Sequence, residues 1–142
     1  MIERMKHAHT NYKMILPFIN QAEKAGGAIR CNSSGYMDLS IEKLYYSDPY
    51  GNPVYSFTHY GEQYGDAMRD PDMEFSVNRT TETIIPLSFR NDYVGISQQV
   101  IQMRNGKQMY SSRLLKDLDD FLWRWCKNII NQGFTPDRYE TI

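Results

Sequence analysis

Apolar and polar positions change period along the chain. In "TNYKMILPFINQAEKAGG" Met14, Ile15, Phe18, Ile19 and Ala22 recur at three- and four-residue spacing, one face of a helix that Thr10 can cap and Gly26-Gly27 can stop. Pro17 removes a backbone donor inside it, so a kink or a fresh first turn near Leu16 is expected. From Gly35 the spacing falls to two. Met37, Leu39, Ile41 and Tyr45 face one way and Asp38, Ser40 and Glu42 the other, the alternation of a half-buried antiparallel strand. "SDPYGNP" is dense in turn formers and "VYSFTHY" resumes the extended pattern, which together make a hairpin with a loose loop. "DMEFSVNR" alternates again, with Met73, Phe75 and Val77 inward. "TIIPLSF" and "YVGISQQVIQM" supply two more extended segments, the first with Pro86 at a position suited to an edge or a bulge.

The period returns to helical in "SSRLLKDLDDFLWRWCKNIINQGF". Leu114, Leu115, Leu118, Phe121, Leu122, Trp125, Ile129 and Ile130 form one broad stripe, with Ser111 or Ser112 as cap and Gly133 as stop. Asp119 and Trp123, and the i,i+4 ion pair Asp120–Arg124, are placed on the outer side. Strands in succession without a helical crossover predict an α+β fold. Its sheet is a four- to five-stranded antiparallel meander, with the N-terminal and C-terminal helices packed on one face and the other face free. Residues 1–142 are read as a single domain, with 1–9 and 135–142 frayed.

Composition narrows the function classes. At 142 residues one core can be buried, and no segment approaches a membrane span. The charged N-terminus shows no secretory signal, so a cytoplasmic location is expected. Cys31 and Cys126 stand far apart and read as reduced, buried thiols. A net charge of −1 gives no reason to expect nucleic acid as the primary ligand. Eleven Tyr hint at a recognition surface, since a phenol serves a half-wet contact.

The stretch "HYGEQYGDAMRDPDMEF" carries the densest chemistry, with carboxylates at Glu62, Asp66, Asp70, Asp72 and Glu74, His59, and Tyr60 and Tyr64. Pro71-Asp72 starts a metal-nuclease pattern, but no Glu-x-Lys follows on the next strand. His7 and His9 straddle Ala8 and have no third ligand at matching spacing, so no metal and no cofactor are expected. Nucleophile elbows and phosphate-binding glycine loops are missing. Gly61 to Asp72 therefore reads as a hairpin-like connection whose Asp and Arg side chains cap backbone groups, and Tyr60, Gln63, Tyr64, Asp66, Met68, Arg69 and Asp70 in and beside it suit a protein partner. The alternative is a pocket of His59, Asp66, Asp70, Asn91 and Asp92 in a small enzyme or a nucleotide or metal binder, with a binder of small defence-signalling nucleotides, stacked on Tyr and held by Arg69, as a third reading.

"FTHYGEQYGDAMRDPDMEF", "PLSFRNDYVGISQQV" and "LDDFLWRWCKNIINQGF" resemble the three signature blocks of an uncharacterised family of small proteins carried by phages and integrative conjugative elements. The resemblance covers about residues 35 to 134. It marks His59, Tyr60, Gln63, Gly65, Asp66, Met68, Asp70 and Pro71 in the first block, Asn91, Asp92, Tyr93, Gly95 and Ile96 in the second, and Trp125, Gln132, Gly133 and Phe134 in the third. Tyr64 departs from the family's Asn, which makes the segment more aromatic. The resemblance implies a setting, the accessory cargo of mobile elements, and no mechanism. The expected function is a catalytically bare protein, monomer or homodimer, that binds and inhibits or redirects a host protein such as a restriction or CRISPR-type defence factor.

Overall fold

A computed structural model describes residues 5–142. The elements in chain order are α1 (Ala8–Lys24), β1 (Ala28–Cys31), β2 (Leu39–Ser47), β3 (Pro53–Gln63), β4 (Asp66–Asn78), β5 (Thr83–Asn91), β6 (Ile96–Gln99), β7 (Ile101–Arg104), β8 (Lys107–Tyr110), α2 (Ser112–Asn131) and β9 (Tyr139–Thr141). The fold is α+β and the strand pairs are antiparallel, but the sheet is larger than the four to five strands expected. Seven strands run in the order β6-β5-β4-β3-β2-β1-β9, and β7-β8 form a separate two-stranded ribbon.

The added strands have identifiable causes. β1 is too short to show a period, yet its Ile29 and Cys31 are buried against Ile41 and Leu39 of β2. The tail expected to fray instead pairs its residues 139–141 with β1, and Tyr139 receives a hydrogen bond from Gln21 of α1. The extended segment "YVGISQQVIQM" is split between β6 and β7. Val100, buried between them, donates its N–H to the Leu87 carbonyl and accepts from the Ser111 N–H.

Alternation in β2 holds for Leu39 and Ile41 and then fails. Its pairing with β3 is irregular between Lys43 and Ser47, and Tyr45 is 99% exposed rather than inward. Met37 likewise lies outside the strand and half exposed. Pro86 sits at an irregularity as expected, since Glu74 opposes Ser88 while Phe75 opposes Pro86, leaving Leu87 as the extra residue of a bulge.

Phe57 of β3 occupies the centre of the core. Its ring meets Phe18 of α1 and Trp125 of α2, each edge-on at 6.1 Å, and Phe75 of β4 at 5.1 Å. Phe89 of β5 meets Phe121 of α2 at 5.1 Å. Helix α2 starts where its cap predicts, with the Ser111 hydroxyl accepting from the Leu114 N–H. Helix α1 starts earlier than Thr10, at Ala8, and runs through Pro17. No side chain of its own caps it; Asp119 of α2 accepts the His7 N–H at 3.0 Å instead. Asp119 is therefore buried and not on the outer side, Asp120 pairs with His7 and not with Arg124, and Met5 is buried where a frayed end was expected. Residues 1–4 lie outside the described residues. No described helix is long and apolar enough to cross a membrane.

Candidate functional site

The segment expected to be a connection is two paired strands. Tyr60 faces Arg69, Gly61 faces Met68, Glu62 faces Ala67 and Gln63 faces Asp66, so β3 and β4 continue to a two-residue turn at Tyr64-Gly65. Both turn residues are left-handed, at φ 52° and 84°, the geometry whose twist matches two antiparallel strands. Glycine adopts it freely and tyrosine does not. Tyr64 stands 97% exposed at the tip, with Gln63 and Asp66 exposed beside it. Between Thr58 and Tyr60 the register slips, and Asp70 and Pro71 together oppose His59, a bulge that re-aims the chain toward the tip.

His59 is a core residue. Its Nδ1 lies 3.1 Å from the Met37 carbonyl and 3.2 Å from that of Asp38, and its ring is 5.6 Å from Trp125 and 5.7 Å from Phe134. Two carbonyl acceptors require Nδ1 to carry the proton. Burial lowers the pKa, against the raising effect of the two backbone bonds and of the Asp38 and Asp70 charges. The imidazole is neutral near pH 7.

A second set of side chains fastens the turn between β5 and β6 to the hairpin. Arg69 binds Asp92 through a fork, Nε to Oδ2 at 2.9 Å and Nη2 to Oδ1 at 3.2 Å. The backbones join it, Arg69 N–H to Asp92 Oδ2 and Asp92 N–H to the Arg69 carbonyl, both at 2.9 Å. These bonds hold the Asp92 carboxyl below its usual range. Asn91 donates to Asp70 at 2.7 Å and accepts the Tyr93 N–H at 3.0 Å. The Tyr93 ring covers Gly61, where a Cβ would collide with the Tyr93 hydroxyl and come within 3.2 Å of the Met37 sulfur.

The other side of β3 and β4 is polar. Ser40, Thr58, Asp72 and Arg90 follow one another across four strands, with Glu42, Ser56, Glu74 and Ser88 in the next row. Thr58 donates to Asp72 at 2.9 Å, and Tyr46 donates to Glu74. Burial raises the pKa of Asp72 and of the neighbouring Tyr60 phenol.

Of the expected partner-binding residues, Tyr60, Gln63, Tyr64 and Asp66 present themselves to solvent, Met68 and Asp70 are half-buried, and Arg69 is spent on Asp92. Of the expected pocket, Asp70 bonds to Asn91 and stands with Pro71 opposite His59 at the bulge, while Asp92 is held by Arg69 and Asp66 is opposite Gln63 near the tip. Sequence reasoning gave no weight to Val94, exposed in the β5–β6 turn, or to Tyr93 and Ile96 as surface groups. Their signal was an Asn-Asp-Tyr-Val-Gly run, a turn that carries two apolar side chains.

A family model described as a domain of unknown function, DUF6908, matches residues 10–135. The chain belongs to this family. No curated protein and no solved structure matches it. In this DUF6908 chain the three sequence blocks meet in two places: His59 with Trp125 and Phe134, and Arg69 and Asp70 with Asp92 and Asn91.

Proposed function

We propose that the protein is a binding module, a mobile-element or phage accessory protein of the cytoplasm that blocks or redirects a host protein, a defence factor in the reading favoured by the sequence. Phe18 of α1 and Trp125 of α2 both pack on Phe57, and the β3–β4 hairpin, whose last pairs run past the partners in β2 and β5, is the recognition element in this reading. The single observation that supports this is the state of the hairpin tip. Tyr64 holds a conformation costly for its side chain and buries almost none of it, while the ionisable groups behind it, Arg69, Asp70 and Asp92, are engaged in fixing the hairpin. Backbone strain clusters at functional sites, and tyrosine is among the residues enriched in binding hot spots. Val94 at 65% exposure, with Tyr93 beside it, extends the apolar contact along one flank.

The enzyme or nucleotide-binder alternative draws on one observation, the nearness of Asp70 to a His59 whose Nδ1 is anchored on carbonyls, leaving Nε2 as the basic nitrogen. The two are separated by an affinity pull-down from bacterial lysate with wild type and a Tyr64→Ser, Val94→Ser variant. Arg69 is left intact because its loss would free the β5–β6 turn. Binding predicts a retained protein whose affinity, remeasured with the purified partner, falls at least about tenfold in the folded variant. Equal retention by both, or an empty wild-type lane joined by thermal stabilisation with a nucleotide, would move the assignment to the His59 side.

A further inference from the structure

A second chemical cluster lies away from the hairpin, where α1 begins against the middle of α2. His7 Nε2 is 3.1 Å from Asp120 Oδ1, and one ligand atom each of His7, Asp119 and Asp120 lie within 4.8 Å of one another. The His7 ring is stacked on Trp123 at 4.3 Å and 5°, which fixes its direction. Asp119 and Asn11 are fully buried beside it. The Asn11 side chain reaches this cluster with Nδ2 3.4 Å from the Asp119 carbonyl and 3.5 Å from Asp119 Oδ1, both at the outer limit of a hydrogen bond. Its Oδ1, also buried, has no hydrogen-bond partner among the described residues.

Among the described residues the arrangement is rich in acceptors. The Asp119 carboxylate takes the His7 N–H on Oδ2 and a backbone bond from Lys6, and Asn11 Nδ2 stands 3.5 Å from its Oδ1. Lys127 nearby is occupied on the Trp123 ring at 3.4 Å. An unpaired buried amide oxygen is costly, and a cation within reach would satisfy it. The sequence spacing hid this set, because His7 has no partner within its own segment and its carboxylate neighbours come from α2.

We propose that His7, Asp119 and Asp120, with the Asn11 amide turned to present Oδ1 as a further oxygen donor, bind one divalent transition cation that fastens the start of α1 to α2. One imidazole nitrogen with two carboxylates and an amide suits Zn²⁺ or Mn²⁺ better than Ca²⁺ or Mg²⁺, which favour oxygen alone. Ligands at about 2.0–2.2 Å from such an ion stand roughly 3.0–3.5 Å apart. The His7–Asp120 separation already meets that spacing, and half-exposed Asp120 is free to close the remainder. Asp119 both accepts the His7 N–H at the start of α1 and offers a ligand oxygen.

The competing account is a helix cap beside an ordinary His–Asp pair. Asp119→Asn is a poor probe because it strikes the cap itself. His7→Gln keeps the capping backbone N–H and removes the imidazole, and Asp120→Asn removes one oxygen ligand at the surface. Full-length protein stripped with EDTA is titrated with Zn²⁺ and Mn²⁺ by calorimetry and thermal shift, with Mg²⁺ and Ca²⁺ as controls. One equivalent bound by the wild type, a rise in Tm of a few °C at saturating metal, and at least about tenfold weaker binding in either folded variant are expected. The wild type alone gives a second readout, since Mn²⁺ should broaden the NMR signals of residues 7–11 and 119–120 first. No stoichiometric binding, undiminished binding in the variants, or broadening centred elsewhere would overturn the site.

Discussion

Tyr64→Asn separates the conformational cost of the hairpin tip from its use. Tyr64 sits at φ 52°, in the left-handed region, where an ordinary side chain is disfavoured by about 1–2 kcal/mol. Asn tolerates this region by local hydrogen bonding, and Asn-Gly is the preferred pair for a two-residue hairpin turn. The Tyr64 ring is 97% exposed, so deleting it forfeits almost no burial. The expected net effect is a gain of roughly 0.5–1 kcal/mol, about half the penalty, because Asn retains part of it. For a chain of 142 residues that is a rise in Tm of about 1–4 °C. Binding moves the other way: if the ring inserts into a partner, affinity falls at least about tenfold, or about 1.4 kcal/mol. Urea unfolding at constant m reports the first quantity and calorimetry with the purified partner the second. A lowered midpoint would show that the ring stabilises the free hairpin, and unchanged affinity would remove Tyr64 from the interface; either result refutes the reasoning.

Three further outcomes follow from the same geometry. Gly61→Ala places a methyl against the Tyr93 hydroxyl and forces the ring aside, so it should destabilise the wild type yet stabilise a Tyr93→Ala background by about 0.4–1 kcal/mol; equal effects in both, in urea unfolding, would discard the contact. His59 has a lowered folded pKa, so its contribution is complete above the unfolded value near 6.5 and is lost as pH falls through the folded one. Stability should therefore drop below pH ~6.5 with a slope of at most about 1.4 kcal/mol per unit, and His59→Gln should flatten it in denaturation midpoints taken from pH 8 to 5. Asp92 also has a depressed pKa, so its contribution is present above about pH 4 and lost at lower pH. Asp92→Asn should lower stability at pH 7 and converge with the wild type in acid, and parallel curves would show that the fork adds nothing.

Periodicity made α2, α1 and the inward residues of β2 to β5 legible, because each buries one face and that face repeats at 3.6 or 2 residues. It failed where burial is decided by distant partners. β1 and β9 are too short to show a period and exist through each other and β2. Asn105-Gly106 was a direct hairpin signal for β7 and β8, overlooked because neither strand buries a face. Asp119 stands four residues after Leu115 and three before Leu122, inside the apolar stripe, and its charge misplaced it outside. The hairpin-like connection proves to be fully paired strands, a regularity its carboxylates obscure, and the bulge opposite His59 breaks the count between Met73 and Met68.

Rigidity links these features to the proposed binding. A two-stranded ribbon projecting beyond its sheet is marginal alone and would lose conformational freedom on meeting a partner. Here the Arg69–Asp92 fork, the Asp70–Asn91 bond and the Tyr93 ring over Gly61 tie the ribbon to the β5–β6 turn from several directions. At the root, His59 joins β3 to the carbonyls before β2 and to the rings of Trp125 and Phe134. Polar residues that a catalytic reading would enlist thereby order the tip in advance, which would lower the entropy lost in the contact proposed for Tyr64. The same bonds explain why a bulky residue can be held left-handed at the turn: the strands on either side are fixed by more free energy than the single strained residue withdraws.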